Sequence, residues 1–215
     1  MKFRYLGLLV GVILTCVAHV DASQQRSFVR GLYYLDSREF NTFNLTAIAP
    51  DIGMGWSYFG LIDLHSTQKD AKNRFDLTRF LLDTNVAHPI HEVPGLSTVI
   101  RYLDFPGGAN GVWRAGLSYP VIQGLTVQVL PIQTQSGGQV SLLYNFPISD
   151  SLTLNGFADL DWASTMTSTV VNETQLTFTK FLPYVLQIEI RYNGYEDRTP
   201  GQSGFGIALG GGYLF

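Results

Sequence analysis

Apolar and polar positions alternate with a period of two along almost every segment from Phe28 onward, the repeat of an extended chain whose successive side chains point to opposite faces. Between Leu152 and Trp162 the even positions are Leu152, Leu154, Gly156, Ala158, Leu160 and Trp162, while the odd ones are Thr153, Asn155, Phe157, Asp159 and Asp161. One face suits lipid and the other a polar interior. Comparable runs at 28–36, 41–50, 55–66, 75–86, 95–105, 111–120, 125–135, 138–147, 152–164, 173–182, 184–194 and 204–215 predict twelve strands. Each is near the ~9 to 11 residues with which a tilted strand crosses a bilayer. Ten is the alternative count, because the first hairpin and the segments flanking Pro183 alternate least clearly. The expected fold is all-β, a transmembrane antiparallel up-and-down β-barrel.

The connections support this threading. With Phe28 on the periplasmic side, the polar stretches 66–74, 165–173 and 195–203 emerge outside. The tight links PDIGMG, PISDS and the one at Pro183 fall inside, as expected for short periplasmic turns and longer external loops. The stretch 87–95 (AHPIHEVPG) disagrees, being long yet assigned to the periplasm.

The N-terminus changes how much of the chain enters the fold. Lys2 and Arg4 precede an apolar run from Tyr5 to Val17, long enough for a signal-peptide core and too short to span a bilayer. Cleavage after Val20-Asp21-Ala22 divides the chain into a signal peptide, 1–22, and a barrel, 23–215. The alternative, lipidation at Cys16, meets Thr15 where a smaller residue is usual. Cys16 is the only cysteine, so the mature protein is expected to hold neither a disulfide nor a thiolate metal site. Charged residues make up 14% of the chain and aromatics 13%. No later stretch reaches the ~20 apolar residues of a membrane helix, which leaves a barrel or a secreted β-sandwich. The mildly acidic balance, without Lys/Arg clusters, argues against nucleic acid as a partner.

On the outward parity fall Trp56, Trp113 and Trp162 with Tyr58, Tyr119, Tyr144, Tyr192 and Tyr213. Most lie near predicted strand ends, as in the aromatic girdles at the two membrane interfaces. The inward parity collects Arg30, Asp36, Asn44, Asp63, His65, Arg79, Asp83, Asn85, Arg101, Arg114, Gln128, Asn145, Asn155, Asp159, Asp161, Gln187, Glu189, Arg191 and Asn193. An Arg or Lys facing lipid at the midplane costs about 2 to 4 kcal/mol, so these groups are expected to line the lumen. They form either a stiffening salt-bridge plug or a hydrogen-bonding conduit. Phe59 and Phe157 are aromatics on this polar parity, with Asp63, Asp159 and Asp161 close behind them. A ring beside carboxylates can stack a planar solute while the carboxylates take hydroxyls, and the plainer alternative is an apolar filler layer.

The last strand, from Gly204 to Phe215, places Phe205, Ile207, Leu209, Tyr213 and Phe215 on one face and ends on Phe. It resembles the terminal strand recognised by the barrel-assembly machinery, with Gly210, Tyr213 and Phe215 at the matching positions. The run Trp56 to Asp63, the segment Leu154 to Trp162 and this Gly-rich strand together resemble the Tsx-like family of nucleoside-specific outer-membrane channels. That resemblance spans most of the mature chain and implies a monomeric twelve-stranded barrel whose narrow lumen passes nucleosides between aromatic and ionisable residues. This chain is shorter than those channels, and no complete nucleoside site is matched. The expected partners are outer-membrane lipid, the assembly machinery and a small polar solute. No cofactor or metal is expected, since Asp159 and Asp161 fall short of the 6 to 8 oxygens that calcium prefers. An enzyme is the weaker reading: no Ser-centred motif such as G-x-S-x-G occurs, His88 and His91 lie in a proline-containing link, and His65 points inward. A structural or adhesive barrel with a closed lumen is the functional alternative.

Overall fold

The structure, a computed structural model, describes residues 27–69, 76–104, 111–134, 136–163, 166–194 and 204–215, with the side chains of 76–79, 163 and 166–168 outside the description. The expected signal peptide at 1–22, most of the expected loop 66–74 and all of 195–203 therefore lie outside the described residues.

Twelve antiparallel strands form the fold: β1 (Phe28–Asp36), β2 (Phe40–Ala49), β3 (Ser57–Thr67), β4 (Asp76–Pro89), β5 (Ser97–Asp104), β6 (Val112–Ile122), β7 (Leu125–Gln133), β8 (Gly138–Ser149), β9 (Leu152–Ala163), β10 (Met166–Phe178), β11 (Tyr184–Asn193) and β12 (Gly204–Leu214). They follow one another round a ring in chain order, and β1 pairs with β12 to close it. Closure gives every strand two neighbours and leaves no edge whose backbone groups must face hydrocarbon.

The strand count stands, and two boundaries move. The stretch 165–173, expected as an external loop, belongs mostly to β10, which pairs with β9 from Met166 to Phe178 through an irregularity between Met166 and Thr169. Thr and Val dominate that stretch, and their β-branched side chains fit a pleated wall even where the hydroxyls read as polar. The strand expected at 173–182 accordingly ends at Phe178, with a turn through 179–183. The long link at 87–95 also shortens, because β4 continues to Pro89. Residues 90–96 then close as stacked turns, with Ile90 N donating to Leu96 O at 2.8 Å and Val93 N to Ile90 O at 3.0 Å.

The outer wall is apolar. Ile132, Leu186, Leu209 and Phe205 are all more than half exposed. Trp113, Trp162, Tyr192 and Phe205 lie near the loop end of their strands, while Tyr58, Tyr184, Tyr213 and Phe215 lie near the turn end, so two aromatic belts flank an aliphatic band. Ring pairs stiffen both belts: Tyr102 and Trp113 at 4.6 Å, Tyr184 and Tyr213 at 5.7 Å. Tyr144 departs from the girdle pattern. It stands at mid-strand, and its hydroxyl meets Thr174 Oγ1 at 2.5 Å and Glu173 O at 3.3 Å, which satisfies a polar group that would otherwise face lipid.

Glycine makes the closing seam possible. A Cβ on Gly212 would stand 1.9 Å from Gly31 O, inside the backbone of β1, and one on Gly210 would stand 2.5 Å from the Tyr34 ring. Gly211 differs, since its Cβ would meet only Leu186 Cδ2, at 3.6 Å. Gly212→Val should therefore abolish the compact, heat-modifiable species of the refolded protein on unboiled gels, whereas Gly211→Ala should keep it. Wild-type folding of Gly212→Val would show that the seam does not depend on this close approach.

Candidate functional site in the barrel lumen

Directly paired residues in an antiparallel ladder point to the same side, so register alone assigns the lumen face. Thr42 pairs with His65 and Asn44 with Asp63; Asn85 pairs with Arg101, and Arg101 with Arg114. Gln139 pairs with Asp161 and Ser141 with Asp159. Phe157 pairs with Glu173 and Glu173 with Arg191, while Gln187 and Glu189 pair with Gly210 and Ala208. The charged residues expected inside are thus brought into one interior, apart from Arg79, whose side chain lies outside the described residues.

The first cluster joins distant walls. Arg101 on β5 donates through Nε and Nη2 to both oxygens of Asp83 on β4, at 2.9 and 2.5 Å. Its Nη1 turns the other way, to Gln139 Oε1 on β8 at 3.0 Å and Asp159 Oδ2 on β9 at 3.1 Å. Beside it Arg114 on β6 reaches Gln133 Oε1 at 3.2 Å, the same Gln139 oxygen at 3.3 Å and Asp161 Oδ1 at 3.3 Å. Planar guanidinium suits this work, because its fixed fork serves both oxygens of one carboxylate while the remaining nitrogen reaches two acceptors on the other side.

A second cluster lies on β10 and β11 against β1. Arg191 is held by Glu189 and by Glu173, the latter at 3.7 Å, with its Cζ 5.1 Å above the Tyr34 ring. Gln175 Nε2 donates to Glu173 at 2.5 Å and Glu189 at 2.7 Å. Gln187 Nε2 donates to Gln175 Oε1 at 2.9 Å and Thr177 Oγ1 at 2.6 Å, and its own Oε1 accepts the Tyr34 hydroxyl. The small inner face of β12, from Gly206 through Ala208 to Gly210, is what leaves room for Arg38 over Gly206 and Tyr34 over Gly210. Gln187 was expected inside, whereas Gln175, a second amide relay, and Glu173, the carboxylate beside Glu189, are residues that parity in the sequence did not single out. The signal for Glu173 was its place in a Thr-rich segment read as a loop.

A third, smaller set occupies β2 and β3, where Asn44 donates to Asp63 Oδ1 at 2.7 Å and Thr42 meets His65 Nδ1 at 3.0 Å. At the loop-end mouth Arg38 clasps both oxygens of Asp36, at 2.7 and 2.9 Å.

Burial divides the lumen. Towards the loop end the interior is packed: Glu189 and Ser141 have no exposed surface and Gln139 has 1%. Towards the turn end Phe59, Leu61, Asn85, Leu143, Asn155 and Phe157 are half-exposed. Phe59 on β3 and Phe157 on β9 stand on opposite sides of the twelve-strand ring. Each ring lies on the turn side of the carboxylates of its own strand. The structure therefore places the two aromatics in a partly exposed vestibule below the polar plug on the β3, β8 and β9 side, while Thr177, Val185 and Gln187 are buried at the same end of β10 and β11; it does not gather the rings into one contact with Asp63, Asp159 and Asp161.

The fold matches that of solved porins. A KdgM porin superimposes with a TM-score of 0.55 at 9% identity, covering 87% of this chain and 99% of the porin. A NanC porin does so with a TM-score of 0.56 at 12% identity, covering 87% and 98%. A further KdgM structure, described as a complex with disordered oligogalacturonate, gives 0.53 at 9% identity. No protein-family model matches the chain, and no curated protein sequence is similar to it. The chain thus has the closed β-barrel fold of porins.

Removing one partner of a buried ion pair leaves an uncompensated charge, with a typical cost of about 3 to 5 kcal/mol. Arg191→Leu would confront Glu173 and Glu189 without a cation. Urea unfolding in detergent, followed by tryptophan fluorescence, should show a loss of about that size, largely recovered when Glu189→Gln is added. An unchanged midpoint in the single variant would mean that water already solvates this cluster.

Proposed function

We propose that this protein is a bacterial outer-membrane channel that lets small polar solutes cross passively. The observation that carries this reading is a polar, ion-paired interior enclosed by an outer wall of aliphatic and aromatic side chains, in a barrel shaped like those of the KdgM and NanC porins. The chain would be exported by the segment 1–22 and inserted as a monomer by the assembly machinery, with Gly210, Tyr213 and Phe215 as its signal. Tyr213 and Phe215 lie 4.9 Å apart on the outer wall, open to a docking partner. Deleting Phe215 should lower the amount of folded barrel in the outer membrane and raise periplasmic degradation, as read by membrane fractionation; normal insertion would remove this assignment.

The Tsx-like resemblance and the two opposed rings favour a nucleoside among polar solutes. The base would stack in the vestibule while the ribose meets Asn85 or Asn155 beyond. Stacking on an aromatic is worth about 1 to 3 kcal/mol per base. In planar bilayers the wild-type protein should show discrete conductance steps that nucleosides block, and replacing Phe59 and Phe157 together by Ala should weaken that block about tenfold or more. Steps without nucleoside block would leave a channel for other solutes.

The near-complete burial of Glu189, Ser141 and Gln139 favours a second reading, a plugged structural or adhesive barrel. Complete silence in the same bilayers would establish it.

A further inference from the structure

The lumen plug is built unevenly, and the unevenness points to a moving part. Arg101 holds Asp83, on the neighbouring strand, by two bonds of 2.9 and 2.5 Å. It holds the far wall only through one nitrogen, Nη1, split between Gln139 Oε1 and Asp159 Oδ2 at 3.0 and 3.1 Å. Four strand steps separate β5 from β9 round the ring, so this nitrogen carries a contact between walls that the backbone ladder does not join directly. A guanidinium chelated to one carboxylate keeps its place when a shared contact of its third nitrogen is lost. The bond most easily given up is the one that crosses the lumen.

Resting on the channel reading above, we propose that Arg101 is a latch across the lumen, and that solutes bearing an ammonium or guanidinium group open it by taking its place on Asp159. Asp159 offers only Oδ2 to the guanidinium, and its Oδ1 is buried with no hydrogen-bond partner among the described residues. A solute cation arriving from either side finds a carboxylate whose present partner has a second, better-held seat on Asp83. When the solute cation replaces it, Arg101 stays where its two stronger bonds are, and the added positive charge offsets the excess of acid in the pair of carboxylates it shares. An anion has no such route, because it must pull Arg101 off two carboxylates at once while repelled by both. A neutral solute gains hydrogen bonds but replaces no charge. The latch therefore ranks solutes of one size by charge, nucleosides and their amino-substituted relatives included. Arg114 contacts Gln133, Gln139 and Asp161 and so still links the β6 wall to β8 and β9 when Arg101 lets go of Asp159.

The test uses the full-length mature barrel in proteoliposomes and radiolabelled lysine, glutamine and glutamate, which are close in size and differ in charge. The wild type should admit lysine at least about tenfold faster than glutamate, with glutamine between. Asp159→Asn removes the exchange seat and weakens the far contact, so all three should enter faster and their rates should converge to within about twofold. Arg101→Lys keeps the charge but cannot bond both walls. It should raise glutamine entry while retaining the preference for lysine over glutamate, which separates the latch from the charge of the layer. Heat-modifiable mobility verifies folding of each variant, and the wild-type ranking stands as a test should Asp159→Asn not fold. Equal entry of the three solutes into wild type, or wild-type rates and ranking in Asp159→Asn, overturns the latch and leaves the channel. Exclusion of all three from wild type and variants alike overturns the channel reading and the latch with it.

Discussion

Everything in this molecule follows from the requirement that no backbone N–H or C=O face hydrocarbon unpaired. A sheet satisfies it only by closing, and closing obliges β12 to lie against β1 as tightly as any other neighbours. That seam runs through Gly210 and Gly212, where a side chain would collide with Tyr34 or with the backbone of β1. Those glycines do two things at once. They let the ring close, and they leave the inner face of β12 bare, so that Tyr34 lies across Gly210. The composition of the last strand thus sets the shape of the lumen as well as the stability of the wall.

Closure then dictates the interior. A charged side chain on such a strand has two directions available, and lipid is the expensive one. The arginines and acids turned inward must find partners within reach, and they do so by sharing: Arg101 stands between Asp83 and Asp159, and Arg191 between Glu173 and Glu189. Two guanidiniums each serving two carboxylates leave the layer richer in acid than in base. Amide side chains complete the remaining bonds, which is why Gln139, Gln175 and Gln187 lie at the junctions.

Much of this was legible in the sequence. Period-two alternation gave the strand count, the two faces and the inward direction of Asp63, Arg101, Arg114, Asp159, Glu189 and Arg191, because facing is a property of each strand alone. The segment 166–173 was misread because Thr hydroxyls look like a loop while their β-branched carbons behave as strand. Tyr144 faces outward as its parity implies but stands at mid-strand, because parity reports the face of a residue and not its height. The partners themselves were not legible. Whether Arg101 meets Asp159 or Arg114 meets Asp161 depends on the stagger accumulated over several strands, to which the irregularities between β6 and β7 contribute. A residue's own strand carries no record of it.

The same geometry explains how one lumen holds both a packed plug and an open vestibule. The carboxylates and guanidiniums occupy the loop-end half of β3, β5 and β9, whereas the turn-end half of β3, β8 and β9 presents Phe59, Leu61, Leu143 and Phe157. Oppositely charged side chains extend towards one another and close the space between walls, as Arg101 does from β5 to β9. Apolar rings on opposite walls lack that directed attraction and stay with their own strands. Charge pairing narrows the loop-end half, and on the β3, β8 and β9 side of the turn end aromatic faces stand before the paired charge. In the channel proposed above, a lumen arranged in that order would select first by shape and stacking and only afterwards by charge.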